Sequence, residues 1–143
     1  MAMHTEDIVI SDDKSLLQLD VICGFLARSY WANKRSESKI RKSIENSYCY
    51  GVYYQGRQIG FARLVSDGAT MYWLCDVFID EDFRGFGIGK RLVETITTSE
   101  PWNNLMGVLG TLDAHDLYEQ YGFSRDPERY MRRMPDFLTK KNE

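Results

Sequence analysis

Arg84-Gly85-Phe86-Gly87-Ile88-Gly89 is the stretch of this sequence best suited to hold an anion. Glycine lets a backbone take positive φ and come close to a ligand. Apolar residues then recur at Ile88, Leu92, Val93 and Ile96, at i, i+4, i+5 and i+8, which predicts a helix over 88–99. The first turn of a helix offers N–H groups with no internal partner, and its dipole favours negative charge there. Lys90 and Arg91 put cations where the dipole opposes them, and an anionic ligand nearby would explain them. Two phosphate-binding motifs fail on spacing. GxGxxG counted from Gly85 needs glycine where Lys90 stands. GxxxxGK[ST] needs glycine where Arg84 stands and a hydroxyl where Arg91 stands. What remains is Arg-x-x-Gly-x-Gly, and a tight strand-to-helix turn without a ligand is the plain alternative.

Other residues could do chemistry around this turn. Asp76 is the one charged residue inside the apolar run Met71–Ile79. Tyr118 lies in the short helical pattern DAHDLYEQY, with His115 one turn earlier and Tyr121 three residues on.

The elements that must position these groups follow from periodicity. Ile8-Val9-Ile10 is a strand candidate. Ser11 to Asp13 offers N-cap chemistry for a helix with a face of Leu16, Leu19, Ile22 and Leu26, ending near Tyr30-Trp31. After the connector Ala32–Arg35, residues 36–46 read as a polar helix held by Ile40 and Ile44, a lid or a solvated surface helix. Strands are predicted over 48–54, 58–65 and 71–79, joined by turns at Gln55-Gly56-Arg57 and Ser66-Asp67-Gly68, so three strands form a meander. Pro101 stops the long helix, and residues 105–111 form a weaker strand because Gly107 and Gly110 lower its propensity. Asp113 is the expected cap of the next helix and Gly122 its C-terminal stop. Phe123 and Tyr130–Met134 are expected to close the sheet.

Two motifs at this spacing resemble the GNAT superfamily of N-acetyltransferases. Arg84-x-x-Gly87-x-Gly89 is similar to that family's coenzyme A pyrophosphate loop, [Q/R]-x-x-G-x-[G/A]. Ala114 to Phe123 is similar to its A-x-x-[L/F]-Y-[E/Q]-x-x-G-F motif. The likeness covers about residues 46 to 124. SYWA at Ser29–Ala32, GFARLVSD at Gly60–Asp67 and DVF at Asp76–Phe78 also resemble a bacterial subgroup of unassigned substrate. The resemblance implies one α/β (α+β) domain over 1–143. Its central sheet is mixed and mostly antiparallel, with a splayed parallel strand pair at the cofactor site and helices on both faces. It implies transfer of acetyl from acetyl-CoA to a primary amine, with no metal, by direct attack in a ternary complex. A CoA- or acyl-CoA-binding module without turnover is the alternative.

The resemblance also implies roles. The main chain of Val77, Phe78 and Ile79 and the loop Arg84, Gly85, Phe86, Gly87, Ile88, Gly89 and Lys90 would bind the cofactor. Thr111 stands where many members carry an asparagine that contacts the cofactor arm. Tyr118 matches the acid that protonates the departing thiolate; packing is its other reading. An amine near pKa ~10.4 must lose a proton to react. Asp76 could take it, directly or through water, or could be a structural acceptor beside the splay. Arg63, Tyr30, Trp31 and Tyr50 could line the acceptor pocket.

Composition narrows the classes. Hydrophobic residues make up 43% of the 143, enough for a core, and net charge is −3, which argues against an electrostatic nucleic-acid binder. No apolar stretch reaches the length of a membrane span and none reads as an export signal. The three cysteines, Cys23, Cys49 and Cys75, read as reduced core residues. The expected setting is the cytoplasm. The expected partner is a small-molecule or peptide amine, with a homodimer allowed and neither nucleic acid nor membrane involved.

Overall fold

A computed structural model describes residues 3–139. The expected meander is present as β2 (Tyr48–Tyr54), β3 (Arg57–Ser66) and β4 (Met71–Ile79), paired antiparallel. β1 (Val9–Ser11) adds antiparallel to β2, and β5 (Met106–Leu109) adds parallel to β4. The sheet order is β1-β2-β3-β4-β5. The parallel pair needs a crossover, and α3 (Ile88–Thr98) provides it.

Helices cover both faces. On one, Ile88, Leu92, Val93 and Ile96 of α3 meet Val52, Ala62, Leu64, Tyr72 and Leu74, joined by Tyr118 of α4 (His115–Glu119). On the other, Ile22, Phe25 and Leu26 of α1 (Leu19–Ala27) and Ile40 of α2 (Glu37–Glu45) meet Cys49, Phe61 and Phe78. Ser36 caps α2 by accepting from the Lys39 N–H at 3.2 Å. A last turn, α5 (Asp136–Thr139), ends the described chain.

A bulge in β4 gives both faces something to hold. Phe61 pairs with Phe78 and Arg63 with Cys75, so β4 carries one residue more than β3 across this interval. Asp76 absorbs it with φ of 54°; aspartate is among the few residues that tolerate this left-handed region. Tyr72 and Leu74 therefore face α3, whereas Phe78 faces α1 and stacks on Phe25 at 5.1 Å.

The structure corrects four expectations. The first helix does not run from Leu16 to Tyr30. The Asp13 carboxylate accepts from the Ser15 N–H at 2.9 Å and closes a 3-10 turn instead. Gln18 then gives its N–H to the Gln58 side chain at 2.8 Å, so α1 starts at Leu19. It stops at Ala27, where the buried Ser29 hydroxyl donates to Leu26 C=O and accepts from Ala32 N–H. Second, Asp113 does not cap α4: Thr111 Oγ1 accepts from Ala114 N–H at 3.0 Å and from Asp113 N–H at 3.4 Å. Third, Phe123 and residues 130–134 form no strand, and the described sheet ends at β5. Pro127 and Pro135 supply no N–H to a ladder there; Tyr130 stacks on Trp73 at 5.8 Å instead. Fourth, β5 is shorter than 105–111.

Gly107 has a reason to be glycine. A Cβ there would meet the Tyr72 ring at 2.4 Å. Gly107→Ala should cost about 1–3 kcal/mol by overpacking, read as a lower urea midpoint with an unchanged slope.

Candidate active site

The glycine loop leaves the end of β4 already anchored. Asp80, 4% exposed, gives its N–H to Ile59 C=O at 2.8 Å. Its carboxylate accepts from the Asp82 N–H and from Arg57 Nη2. Glu81 forms a forked pair with Arg28 at 2.9 and 3.0 Å, which ties the loop to the end of α1. Hydrogen bonding to Arg28 pulls the Glu81 pKa down to about 2. Arg84 Nε donates to Ile79 C=O at 2.9 Å, and its guanidinium lies 5.0 Å from the Phe78 ring centre. This side chain therefore clamps the loop from behind.

Gly85 and Gly87 have φ of 89° and 77°, and a Cβ at either would meet nothing within 4 Å. Their backbone faces open space. Arg91 N–H is the first to find a carbonyl inside α3, that of Gly87 at 3.1 Å. The N–H groups of Ile88, Gly89 and Lys90 thus have no carbonyl partner inside α3. Phe86 and Lys90 are exposed and Ile88 is buried in the core. Arg91 is accounted for otherwise: it donates to Thr5 and Ile8 carbonyls at 2.9 and 3.1 Å and holds down the N-terminal segment.

Beside this loop the parallel pair comes apart. The last β4–β5 partners are Leu74 and Leu109, while β4 continues to Ile79. Val77, Phe78 and Ile79 thus present one main-chain edge that β5 leaves open. Across the opening stands α4, and the Thr111 hydroxyl accepts from Ala114 N–H just before it. Tyr118 is 8% exposed, its ring edge-on to Phe123 at 5.9 Å. Burial pushes its hydroxyl up to about 12, with smaller contributions from Tyr30 and Asp113. His115 heads the same helix half-buried, and Tyr121 packs on the core.

The α1–α2 connector covers the opening from the other face. Tyr30 hydroxyl accepts from Leu112 N–H at 3.4 Å, just past β5, and its ring meets Trp31 edge-on at 5.0 Å. Trp31 reaches back to β4 and donates from Nε1 to Asp76 Oδ1 at 2.9 Å. Asp76 Oδ2 accepts from Arg35 at 2.8 Å and from Arg63 at 2.9 Å. The Asp76 side chain is 1% exposed. Burial alone would raise its pKa, but the Arg63 and Arg35 guanidiniums outweigh that and hold the carboxyl below the usual range. Both oxygens are engaged, which is the setting of a structural acceptor.

Arg35 and Ser47, which accepts from Arg63 Nη1 at 3.0 Å, are missing from the sequence reading. One signal for Arg35 existed: a carboxylate inside an apolar strand needs cations. Tyr50 does not belong to this group. It is buried on the α3 face, away from Trp31 and Arg63. A cleft of about 600 Å³ bounded by Lys14, Ser47, Tyr48, Ser66 and Trp102 opens at the opposite end of β2 and β3 from the glycine loop.

Comparison with known proteins agrees with this architecture. Residues 45–125 match the family described as the acetyltransferase (GNAT) domain. A crystal structure from Xanthomonas campestris pv. campestris, described as an acetyltransferase of the GNAT family, superposes with a TM-score of 0.86 at 34% identity, over 94% of this chain and 97% of that one. A protein of Pyropia yezoensis described as the uncharacterized N-acetyltransferase ycf52 is 28% identical over 134 residues, covering 86% of this chain and 74% of its own. A GNAT acetyltransferase of Elizabethkingia anophelis, solved with acetyl-CoA bound, shares the fold at a TM-score of 0.64 and 19% identity, over 84% of this chain and 78% of that one. The sheet with its open parallel pair, the glycine loop at its mouth and the family match lead to one conclusion: this chain belongs to the GNAT family of acetyltransferases.

Proposed function

We propose that this chain moves an acetyl group from acetyl-CoA to the primary amine of an acceptor, both bound at once in the opening between β4 and β5. The observation that carries this reading is the glycine loop: backbone N–H groups and open space, set at the mouth of that opening. Acetyl-CoA is the substrate that supplies the acyl group. The pyrophosphate would be held by main-chain N–H groups from Arg84 to Lys90. Lys90 is an exposed cation at that end; Arg91 gives Nη1 and Nη2 to Thr5 and Ile8 carbonyls, and Arg84 gives Nε to Ile79 C=O. The open edge at Val77–Ile79 would hold the pantetheine arm and supply the N–H that meets the carbonyl oxygen as charge develops. The Thr111 hydroxyl accepts from Ala114 N–H and keeps its own proton to donate to that arm.

The amine nitrogen bonds to the thioester carbon, the C–S bond breaks, the amine loses a proton and the sulfur gains one. Tyr118 supports the sulfur. Its hydroxyl stays protonated at neutral pH, since burial raises it to about 12. An acid that weak gives a hydrogen bond more readily than a proton, so its contribution sits at the low end for acid catalysis. Asp76 positions Trp31 and Arg35 and does not serve as base. Removal of the amine proton falls to water. The positive balance of two guanidiniums over one carboxylate favours the neutral amine. Among the described residues no helix is long and apolar enough to cross a membrane, and action in the cytoplasm fits this reading.

Three outcomes check the proposal. Gly87→Ala forces a side chain into the left-handed region and should cost roughly 1–2 kcal/mol of stability. It should also weaken CoA binding in calorimetry, and unchanged affinity would mean that the loop has no ligand. Tyr118→Phe should lower kcat by about 10²-fold or less and leave CoA affinity alone; full turnover would leave a packing residue. Asp76→Asn strands two guanidiniums and should cost about 3–5 kcal/mol at neutral pH. Because the Asp76 pKa is depressed on folding, its stabilisation is present above the unfolded value near ~3.9. It is lost as pH falls through the folded value. The variant should therefore lack that part of the acid-unfolding limb, read from melting temperature against pH.

A further inference from the structure

The cluster around Asp76, on the acceptor side of the opening, carries a net positive charge. Arg63 and Arg35 contribute two charges and Asp76 removes one, which leaves +1. The charged side chains acting on the neighbouring Cys75 are Arg63, Asp76 and Arg35, with Asp76 the carboxylate among them. The two arginines differ in what they have left. Arg63 is 12% exposed and divides its donors between Asp76 and Ser47. Arg35 is 27% exposed and uses one nitrogen, Nη1, on Asp76. A guanidinium has five N–H donors in a planar fork, so Nε and Nη2 of Arg35 remain without a partner among the described residues. Asp76 fixes that fork from one side, and the turn Arg35 N–H to Ala32 C=O at 3.1 Å fixes its backbone.

The place matters as much as the charge. Tyr30 and Trp31 are 49% and 41% exposed and span the opening from Leu112 to Asp76. An amine that enters from the α1–α2 side passes these two rings and meets Arg35 beside the bulge of β4. A cationic group arriving there is repelled. A planar oxyanion is received by a fixed fork, the geometry that suits a carboxylate.

We propose that the acceptor is an amine carrying a carboxylate a few bonds from its nitrogen, bound by Arg35 beneath the Tyr30–Trp31 pair. This rests on the acetyl-transfer reading above and narrows it to amino-acid-like acceptors; polyamines and lysines in basic peptides are disfavoured.

The test pairs free amino acids, with α-, β- and γ-amino groups, against their carboxamides and spermidine. Thiol release from acetyl-CoA gives kcat/KM, and calorimetry on the CoA-bound protein gives affinity. The wild-type protein should prefer at least one acid over its amide by about tenfold or more, the scale of a charge-assisted hydrogen bond. Arg35→Gln should erase that preference through KM for the acid, with KM for acetyl-CoA unchanged. Arg35→Lys should restore part of it. Amides or spermidine used as well as the acids, no binding by any acid, or equal loss on acids and amides in Arg35→Gln would each overturn the proposal. The wild-type comparison decides even if the variants fold poorly. Arg35-dependent binding of an acid without thiol release would support the proposal and remove the acetyl-transfer reading. Turnover indifferent to the carboxylate would do the reverse.

Discussion

A carboxylate buried in the middle of a strand constrains more of this fold than any other group. An isolated charge there would cost several kcal/mol, so Asp76 must gather donors, and it gathers three of them from two places. Arg63 comes from the neighbouring strand, Arg35 and Trp31 from a connector more than forty residues earlier. The backbone yields as well: the left-handed turn at Asp76 inserts one residue into β4 and exchanges its faces. Without that exchange Phe78 would point at α3 and leave Phe25 without its stacking partner. One side chain thus fixes the layer order, the cover of the acceptor side and the direction in which β4 delivers its open edge.

The loop end of the same strand divides its labour differently. Most of the charged groups there hold protein to protein. Arg57 holds Asp80, Arg28 holds Glu81 and Arg84 holds the Ile79 carbonyl. What faces outward is mainly backbone, at Gly85, Gly87 and the first turn of α3. A fixed set of N–H groups needs no reorganisation when an anion arrives, whereas long cationic side chains would have to be ordered first.

What could be read from the sequence was local. β4 and the start of α3 were legible to the residue, because an apolar, aromatic-rich run gives way to glycines and then to helical spacing. The two hairpins were legible from Gln55-Gly56 and Gly68, whose positive φ the turns require. The misses depend on partners far along the chain. Leu16 carries the helical pattern but lies outside α1, because Asp13 and Gln58 compete for the backbone at its start. Arg91 reads as a cation that an anionic ligand would explain until Thr5 and Ile8 come to lie against it. Arg35 sits in a connector with no periodicity at all, and its partner is 41 residues away.

The tether from Arg91 has a consequence for how the chain is made. Its partner Thr5 is 86 residues earlier in sequence. At ~5–20 residues per second, Thr5 waits on the order of ten seconds after its own synthesis for the side chain that seats it. β1 joins at the outer edge of the sheet, beside β2, so the meander can assemble without it. The segment from Thr5 to Ile8 is thus among the last parts to settle, and its docking records that the helix behind the glycine loop has formed.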